Sequence, residues 1–156
     1  MTPINKKITL KSWALIISII LACLHTISFA SSKQDDIVGI WKNIDDKTGK
    51  AKSLIKIIEQ DGIYNGKIIE LLSPSTPNPV CKKCPGENAN KPILGLTIIK
   101  DTAKKEDSWG GGTILDPNKG KTYKVKFTLI EQGTKLKVRG YVGLPTLGRT
   151  QIWIRQ

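Results

Sequence analysis

The stretch from Lys121 to Glu131 constrains the fold most. Tyr123, Val125, Phe127 and Leu129 share one phase of it, with Lys124, Lys126 and Thr128 in the other. Alternation with a period of two marks a strand that buries one face and solvates the other. From Ile37 onward about eight runs of this kind can be counted, roughly 37–44, 51–60, 63–72, 94–101, 109–116, 121–131, 134–143 and 149–155. Asp61-Gly62 and Gln132-Gly133 separate two neighbouring pairs, and such dipeptides supply the positive φ angles of tight hairpins. Asp45 to Gly49 and Asp116-Pro117-Asn118-Lys119-Gly120 read as two more turns. No stretch after residue 30 has helical periodicity. Short loops between consecutive strands predict an antiparallel meander, and eight strands lose their exposed edges by closing on themselves. The expected class is all-β, an up-and-down antiparallel barrel of about eight strands; a sandwich is the alternative.

The last run poses a puzzle. Arg149, Gln151, Trp153 and Arg155 share one face, and Thr150, Ile152 and Ile154 the other. An ordinary half-buried strand buries its apolar set. Here the charged set also holds the largest side chain. Either the Trp153 indole is stranded outside, or two arginines and a glutamine point into the protein. The run before it has the same conflict, with Leu136, Val138 and Val142 opposing Lys137, Arg139 and Tyr141.

The N-terminal segment reads as an address. Lys6, Lys7 and Lys11 precede an uncharged apolar run from Trp13 to Leu24, and Ser28-Phe29-Ala30 offers small residues at a cleavage site. The expectation is a secretory signal peptide, residues 1–30, cleaved after Ala30. An uncleaved anchor over Trp13–Ala30 and a lipidated Cys23 are the rival readings. Removing residues 1–30 takes three of the 25 basic residues and none of the 13 acidic ones, leaving 126 residues and a net charge of +9. That length is enough for one real core over residues 31–156. The lysines are scattered along alternating faces rather than grouped. Nucleic acid is therefore not an expected partner; weak attraction to an anionic envelope surface is. The chain's single histidine, His25, leaves with the signal. Ser-His-Asp and Cys-His catalysis and imidazole metal sites are excluded for what remains.

One connection is long. Ser73 to Pro92 contains Pro74, Pro77, Pro79, Pro85 and Pro92, so it can be neither helix nor central strand. It carries Cys81-Lys82-Lys83-Cys84. In an oxidising compartment this pair reads as a structural disulfide that stiffens the loop. A redox site would want a helix N-terminus at the first thiol, and a metal site two further ligands. Asp101 to Ser108 reads as a second, solvated turn. Asp45, Asp46, Asp107 and Asp116 sit in turns, where aspartate is a routine turn former rather than an acid–base catalyst. Gly110-Gly111-Gly112 marks a bulge or a close backbone approach, since nothing of a phosphate loop follows it.

Gly39-Ile40-Trp41, the Cys-x-x-Cys-Pro-Gly loop, Gly112-Thr-Ile-Leu-Asp-Pro with Gly120-Lys-Thr-Tyr123, and Arg139-Gly-Tyr with Gly148-Arg-Thr-Gln-x-Trp-x-Arg155 together resemble a bacterial exported family, the domain of unknown function 2147. The resemblance runs from about Ile37 to Arg155. The family resembles the lipocalin-like (calycin) barrels, in which a Gly-x-Trp on the first strand and an arginine on the last close one end. It implies that fold and a binding habit, and no established activity. Gly39, Trp41 and Arg155 are then the expected closure, with Arg149 competing for the last role.

Two solutions exist for a buried guanidinium, which must be paired and hydrogen-bonded. It can lie flat on a tryptophan with its donors on carbonyls, the expectation for Arg155 over Trp41. Or its partner is an exogenous anionic head group, the expectation for Arg149. Arg149, Gln151, Trp153, Arg139 and Tyr141 are accordingly the expected ligand-binding residues. The expected role is a non-enzymatic, exported binding protein for a small hydrophobic or anionic amphiphilic ligand, with no cofactor and no metal. A solid barrel acting as a structural or interaction protein of the envelope is the runner-up. Thiol–disulfide chemistry at Cys81 and Cys84 comes third. The residues do not set the oligomeric state.

Overall fold

A computed structural model describes residues 35–156. Eight strands follow in chain order: β1 (Gly39–Ile44), β2 (Ala51–Gln60), β3 (Ile63–Leu71), β4 (Thr97–Lys105), β5 (Ser108–Asp116), β6 (Lys121–Ile130), β7 (Lys135–Tyr141) and β8 (Arg149–Arg155). Each pairs antiparallel with the next, and β8 pairs with β1, so the sheet is a closed barrel. Closure leaves no edge strand to template pairing with another chain. The signal peptide expected at residues 1–30 and its cleavage after Ala30 lie outside the described residues.

The alternation read on the sixth run is the barrel's rule. Val125 and Phe127 on β6, Leu136 and Val138 on β7 and Ile55 and Ile57 on β2 are buried. Lys124, Lys126, Lys137 and Lys56, in the opposite phase, are exposed. The tight turns take their shape from residues that tolerate positive φ: Asp61 and Gly62 at 53° and 79°, and Glu131, Gln132 and Gly133 at 49°, 55° and 80°. The β5 glycines produce the expected irregularity, a register shift against β6 between Gly110 and Thr113. A Cβ on Gly112 would collide with the backbone of Lys100 and Thr102 on β4, so the close approach requires glycine.

The fourth strand departs from expectation. It begins at Thr97 rather than near Leu94 and continues through Lys105, so Asp101 to Ser108 is mostly strand, not a solvated turn. A bulge explains the misreading. Asp101 takes φ of 57°, and Thr102 opposite Tyr64 is followed by Ile99 opposite Gly66, one residue more on β4 than on β3. The extra residue shifts the phase of the alternation and buries Thr102.

The connection from Leu72 to Leu96 is folded back on itself. Val80 and Pro92 form a bridge, Cys81 N–H donates to the Lys91 carbonyl and Ile93 N–H to that of Pro79. Cys81 and Cys84 form a disulfide with Cα atoms 5.4 Å apart, and both are buried. The bridged loop packs on the β5–β6 turn. The Cys81 sulfur lies 3.3 Å from the Pro117 carbonyl, and a Cβ on Gly120 would strike the Lys83 carbonyl.

Candidate functional site

The inward face of β8 runs the height of the barrel: Arg155 at one end, then Trp153, Gln151 and Arg149. Its register decides the puzzle of the last strand. Trp153 stands opposite Leu136 on β7 and Asn43 on β1, and is 1% exposed. The arginines and glutamine therefore share the inner face, while Ile152 and Ile154 lie outside, 37% and 38% exposed. An aliphatic side chain half-covered by neighbouring lysine stems on a sheet exterior costs little; an exposed indole would forfeit more.

At the closed end, the Arg155 guanidinium carbon lies 4.2 Å from the centre of the Trp41 ring. Its donors are spent on carbonyls: Nε on Gly133 at 2.7 Å, Nη1 on Val38 at 3.0 Å and Nη2 on Asp36 at 2.6 Å. Burial pushes its pKa down, while the nearby Asp36 carboxylate opposes that. The Trp41 indole N–H donates to the Ile37 carbonyl at 2.8 Å. Gly39 has φ of 140°, and a Cβ there would lie 3.1 Å from the Arg155 guanidinium. Glycine thus clears the path for the arginine. Tyr64 adds a latch, its hydroxyl donating to Asp36 at 2.9 Å.

The other end is hollow. A cavity of about 760 Å³ opens between the barrel wall and the proline-rich loop. Ile68, Ile98, Ile114, Leu115, Val138 and Trp153 supply apolar wall. Gly140 lines it too, and a Cβ there would meet nothing nearer than the Tyr123 Cβ at 3.6 Å. Ser73, Pro74 and Pro79 bring the loop to the mouth.

The charged groups at this mouth are paired among themselves. Arg149 Nε donates to Asp46 Oδ2 at 2.8 Å, Nη2 bonds the other carboxylate oxygen, and the Gln151 amide approaches it at 3.4 Å. The Arg149 hydrogen bond lowers the Asp46 pKa to about 2, and Asp46 in turn raises that of Arg149. Lys52 sits 2.5 Å from Asp45, whose carboxyl also accepts from the Thr48 and Lys47 backbone. These partners, Lys52 foremost, hold the Asp45 carboxyl well below the usual range. Lys119 is 3.9 Å from Asp116.

Two expectations need correction. Arg149 is not left for an exogenous anion: Asp46 serves it from the β1–β2 turn, which arches over the end of β8 where no strand position offers an acid. Arg139 does not enter the cavity. It stands opposite Thr150, in the outward phase. There Nε donates to the Pro145 carbonyl at 2.6 Å, Nη1 to Thr150 Oγ1 at 2.7 Å and Nη2 to the Thr146 carbonyl at 3.0 Å, tying down the short helical turn Pro145–Leu147. Tyr141 shares that outward phase, and as the last residue of β7 it still reaches the cavity at its rim. Gln151 and Trp153 line the cavity as expected residues, and Asn43, which shares the inward phase of Trp41, joins them. That shared phase, two residues on from Trp41, was the available signal for Asn43. Among the described residues, no group of three or more His, Cys, Asp or Glu is arranged to hold a metal ion.

Comparison with solved structures finds the same architecture in HP1028 from the human pathogen Helicobacter pylori, described as belonging to the lipocalin family. The two chains are 22% identical, with a TM-score of 0.67, over 78% of this chain and 83% of that one. The fold is thus lipocalin-like. A search of curated proteins gives no match. The family model for an uncharacterized protein conserved in bacteria (DUF2147) matches residues 39–155, from the glycine beneath Arg155 to that arginine itself, and the chain belongs to this family.

Proposed function

We propose that this chain is an exported binding protein that holds one small hydrophobic or amphiphilic molecule inside its barrel. The observation that carries the reading is the cavity of about 760 Å³, which reaches along β8 from Arg149 as far as Trp153 and is walled by aliphatic side chains. Its size and its mixture of apolar wall with a few polar groups suit a small-molecule site. A solid barrel would have filled this space, as Phe127 and Trp109 fill the other half. Thiol–disulfide chemistry is disfavoured because Cys81 and Cys84 are 0% and 5% exposed, where an attacking thiolate cannot reach them. A binding role rather than catalysis also accords with the lack of histidine after residue 30.

Export is supported by the basic, apolar first thirty residues and by a disulfide, which persists in oxidising compartments. The lysine-bearing outer face favours weak, salt-screened attraction to an anionic envelope surface. Native mass spectrometry of protein purified without detergent tests the binding reading. The expected spectrum holds a species one small molecule heavier than the polypeptide, which collapses to the bare mass after organic extraction. A bare mass throughout, together with no uptake of added apolar compounds, removes the proposal.

A further inference from the structure

Among the described residues, the three large apolar side chains that face solvent most fully sit in one loop. Leu147, Val142 and Leu144 are 79%, 67% and 66% exposed, and the next, Leu94, is 53% exposed elsewhere. Single exposed aliphatics need no explanation, but three gathered between β7 and β8 do. The loop is built to hold them out. Arg139 bonds the Pro145 and Thr146 carbonyls from the barrel's outer face. Gly148 backs the turn onto β7 so closely that a Cβ there would lie 2.7 Å from the Gly140 carbonyl. Val142 and Leu147 also line the rim of the cavity, so whatever covers this loop meets the opening.

The neighbouring connections supply charge of one sign. Order around the closed barrel places the β7–β8 loop between the β5–β6 and β1–β2 turns. Every acid in the four connections at this end is already paired: Asp45 with Lys52, Asp46 with Arg149, Glu87 with Lys100 and Asp116 with Lys119. Lys47 and Lys50 on the β1–β2 turn are exposed and form no ion pair among the described residues. The same holds for Lys82 and Lys83 on the bridged loop that packs against the β5–β6 turn. The β7–β8 loop itself carries no acid.

We propose that the β7–β8 loop is a docking tip that seats the cavity mouth on a lipid bilayer with anionic headgroups. Val142, Leu144 and Leu147 enter the boundary between headgroups and acyl chains, and the lysines on the flanking connections meet the phosphates. Apolar burial and attraction to anionic lipid add in such a contact. A second copy of the chain is the poorer occupant, because a two-fold contact through this face sets its unpaired lysines against one another. The proposal does not depend on whether the cavity holds a ligand.

The test places a reporter in the loop. Trp41, Trp109 and Trp153 are buried, so Leu147→Trp adds a tryptophan that lipid can reach, and Gln60→Trp adds one at the opposite end of the barrel. The chains are used as recovered from expressing bacteria, with residues 1–30 present or removed alike in every variant, and circular dichroism verifies folding. Each is titrated with vesicles of phosphatidylcholine and phosphatidylglycerol, seven to three, whose acyl chains are brominated. Emission of Leu147→Trp should shift to the blue and be quenched, and that of Gln60→Trp should change far less. Adding Val142→Ser and Leu144→Ser to Leu147→Trp should raise the lipid concentration for half-quenching roughly ten-fold or more. Adding Lys47→Gln and Lys50→Gln instead should raise it about ten-fold. Quenching at position 147 no greater than at position 60 overturns the proposal, as does a half-quenching point that neither the serines nor the glutamines move. A dimer in solution that the serines dissociate, with no quenching by vesicles, also overturns it and assigns the loop to a contact between copies.

Discussion

The Arg149 guanidinium at the cavity mouth is paired, Nε to Oδ2 at 2.8 Å, with the Asp46 carboxylate 103 residues earlier in the chain. The pair ties the β1–β2 turn to the start of the last strand. It also withdraws from the cavity the charge best suited to hold an anion. Substituting Asp46→Asn should therefore release Arg149, and decanoate affinity should rise several-fold while affinity for decan-1-ol changes little. Competition against Nile red reads both; a variant with unaltered decanoate affinity would show that Arg149 does not face the ligand.

The same pair gives an acid dependence. Asp46 has its pKa lowered from the usual 3.8 to about 2 in the folded chain. A carboxylate with a depressed folded pKa contributes stability that is present above the unfolded value and is lost as pH falls toward the folded one. Both side chains are partly exposed, so solvent screening reduces the contribution to on the order of 1 kcal/mol or less. The difference in unfolding free energy between wild type and Asp46→Asn should be present at pH 6 and should vanish between about pH 4 and pH 2. Urea unfolding at a series of pH values measures it. A difference that persists at pH 2 would mean that the pair is not its source.

At the opposite end Arg155 is structural. Removing it strips three carbonyls of their donor and uncovers the Trp41 ring. Arg155→Ala should cost about 3 kcal/mol, lowering the melting temperature on the order of 10 °C. Arg155→Lys should recover little of this, because an ammonium cannot present the planar fork to three carbonyls while lying on the indole. Thermal melts of the three proteins decide the matter; a lysine variant as stable as wild type would contradict the stacking role.

The disulfide spans a short loop, so its chain-entropy contribution is small, about 2 kcal/mol at most. Its larger effect should be local. With Cys81→Ser and Cys84→Ser together, hydrogen exchange should accelerate over residues 79–93 and 116–120, which the bridged loop packs against, and stay unchanged in β7 and β8. Uniform acceleration across all strands would show instead that the bridge holds the whole barrel.

Much of this architecture was legible because strand alternation carries both burial and register. Tyr123, Val125, Phe127 and Leu129 announce their face without outside information, and Gly39, Trp41 and Arg155 were singled out by the resemblance they carry. The face of β7 was harder. Leu136 and Val138 compete with Arg139 and Tyr141, and only pairing with Trp153 selects the former. Arg139 finds its carbonyls in the turn six and seven residues downstream, a local solution that strand periodicity does not express. The polar end of β4 hid behind the bulge at Asp101, which breaks the period of two. Asp46 looked like a turn former and is one, but its reach to Arg149 depends on barrel closure, which no local pattern encodes.

The central claim is that the space between Trp153 and the proline-rich loop is a ligand site, and filling it tests that claim most directly. Gly140 lines the cavity with room for a side chain, so Gly140→Leu should occupy the space while the barrel stays folded. Titration with Nile red, followed by its emission, should show saturable binding of one dye per wild-type chain and none to Gly140→Leu of equal β-sheet content. No saturable binding to the wild type, or equal binding to both proteins, would contradict the account.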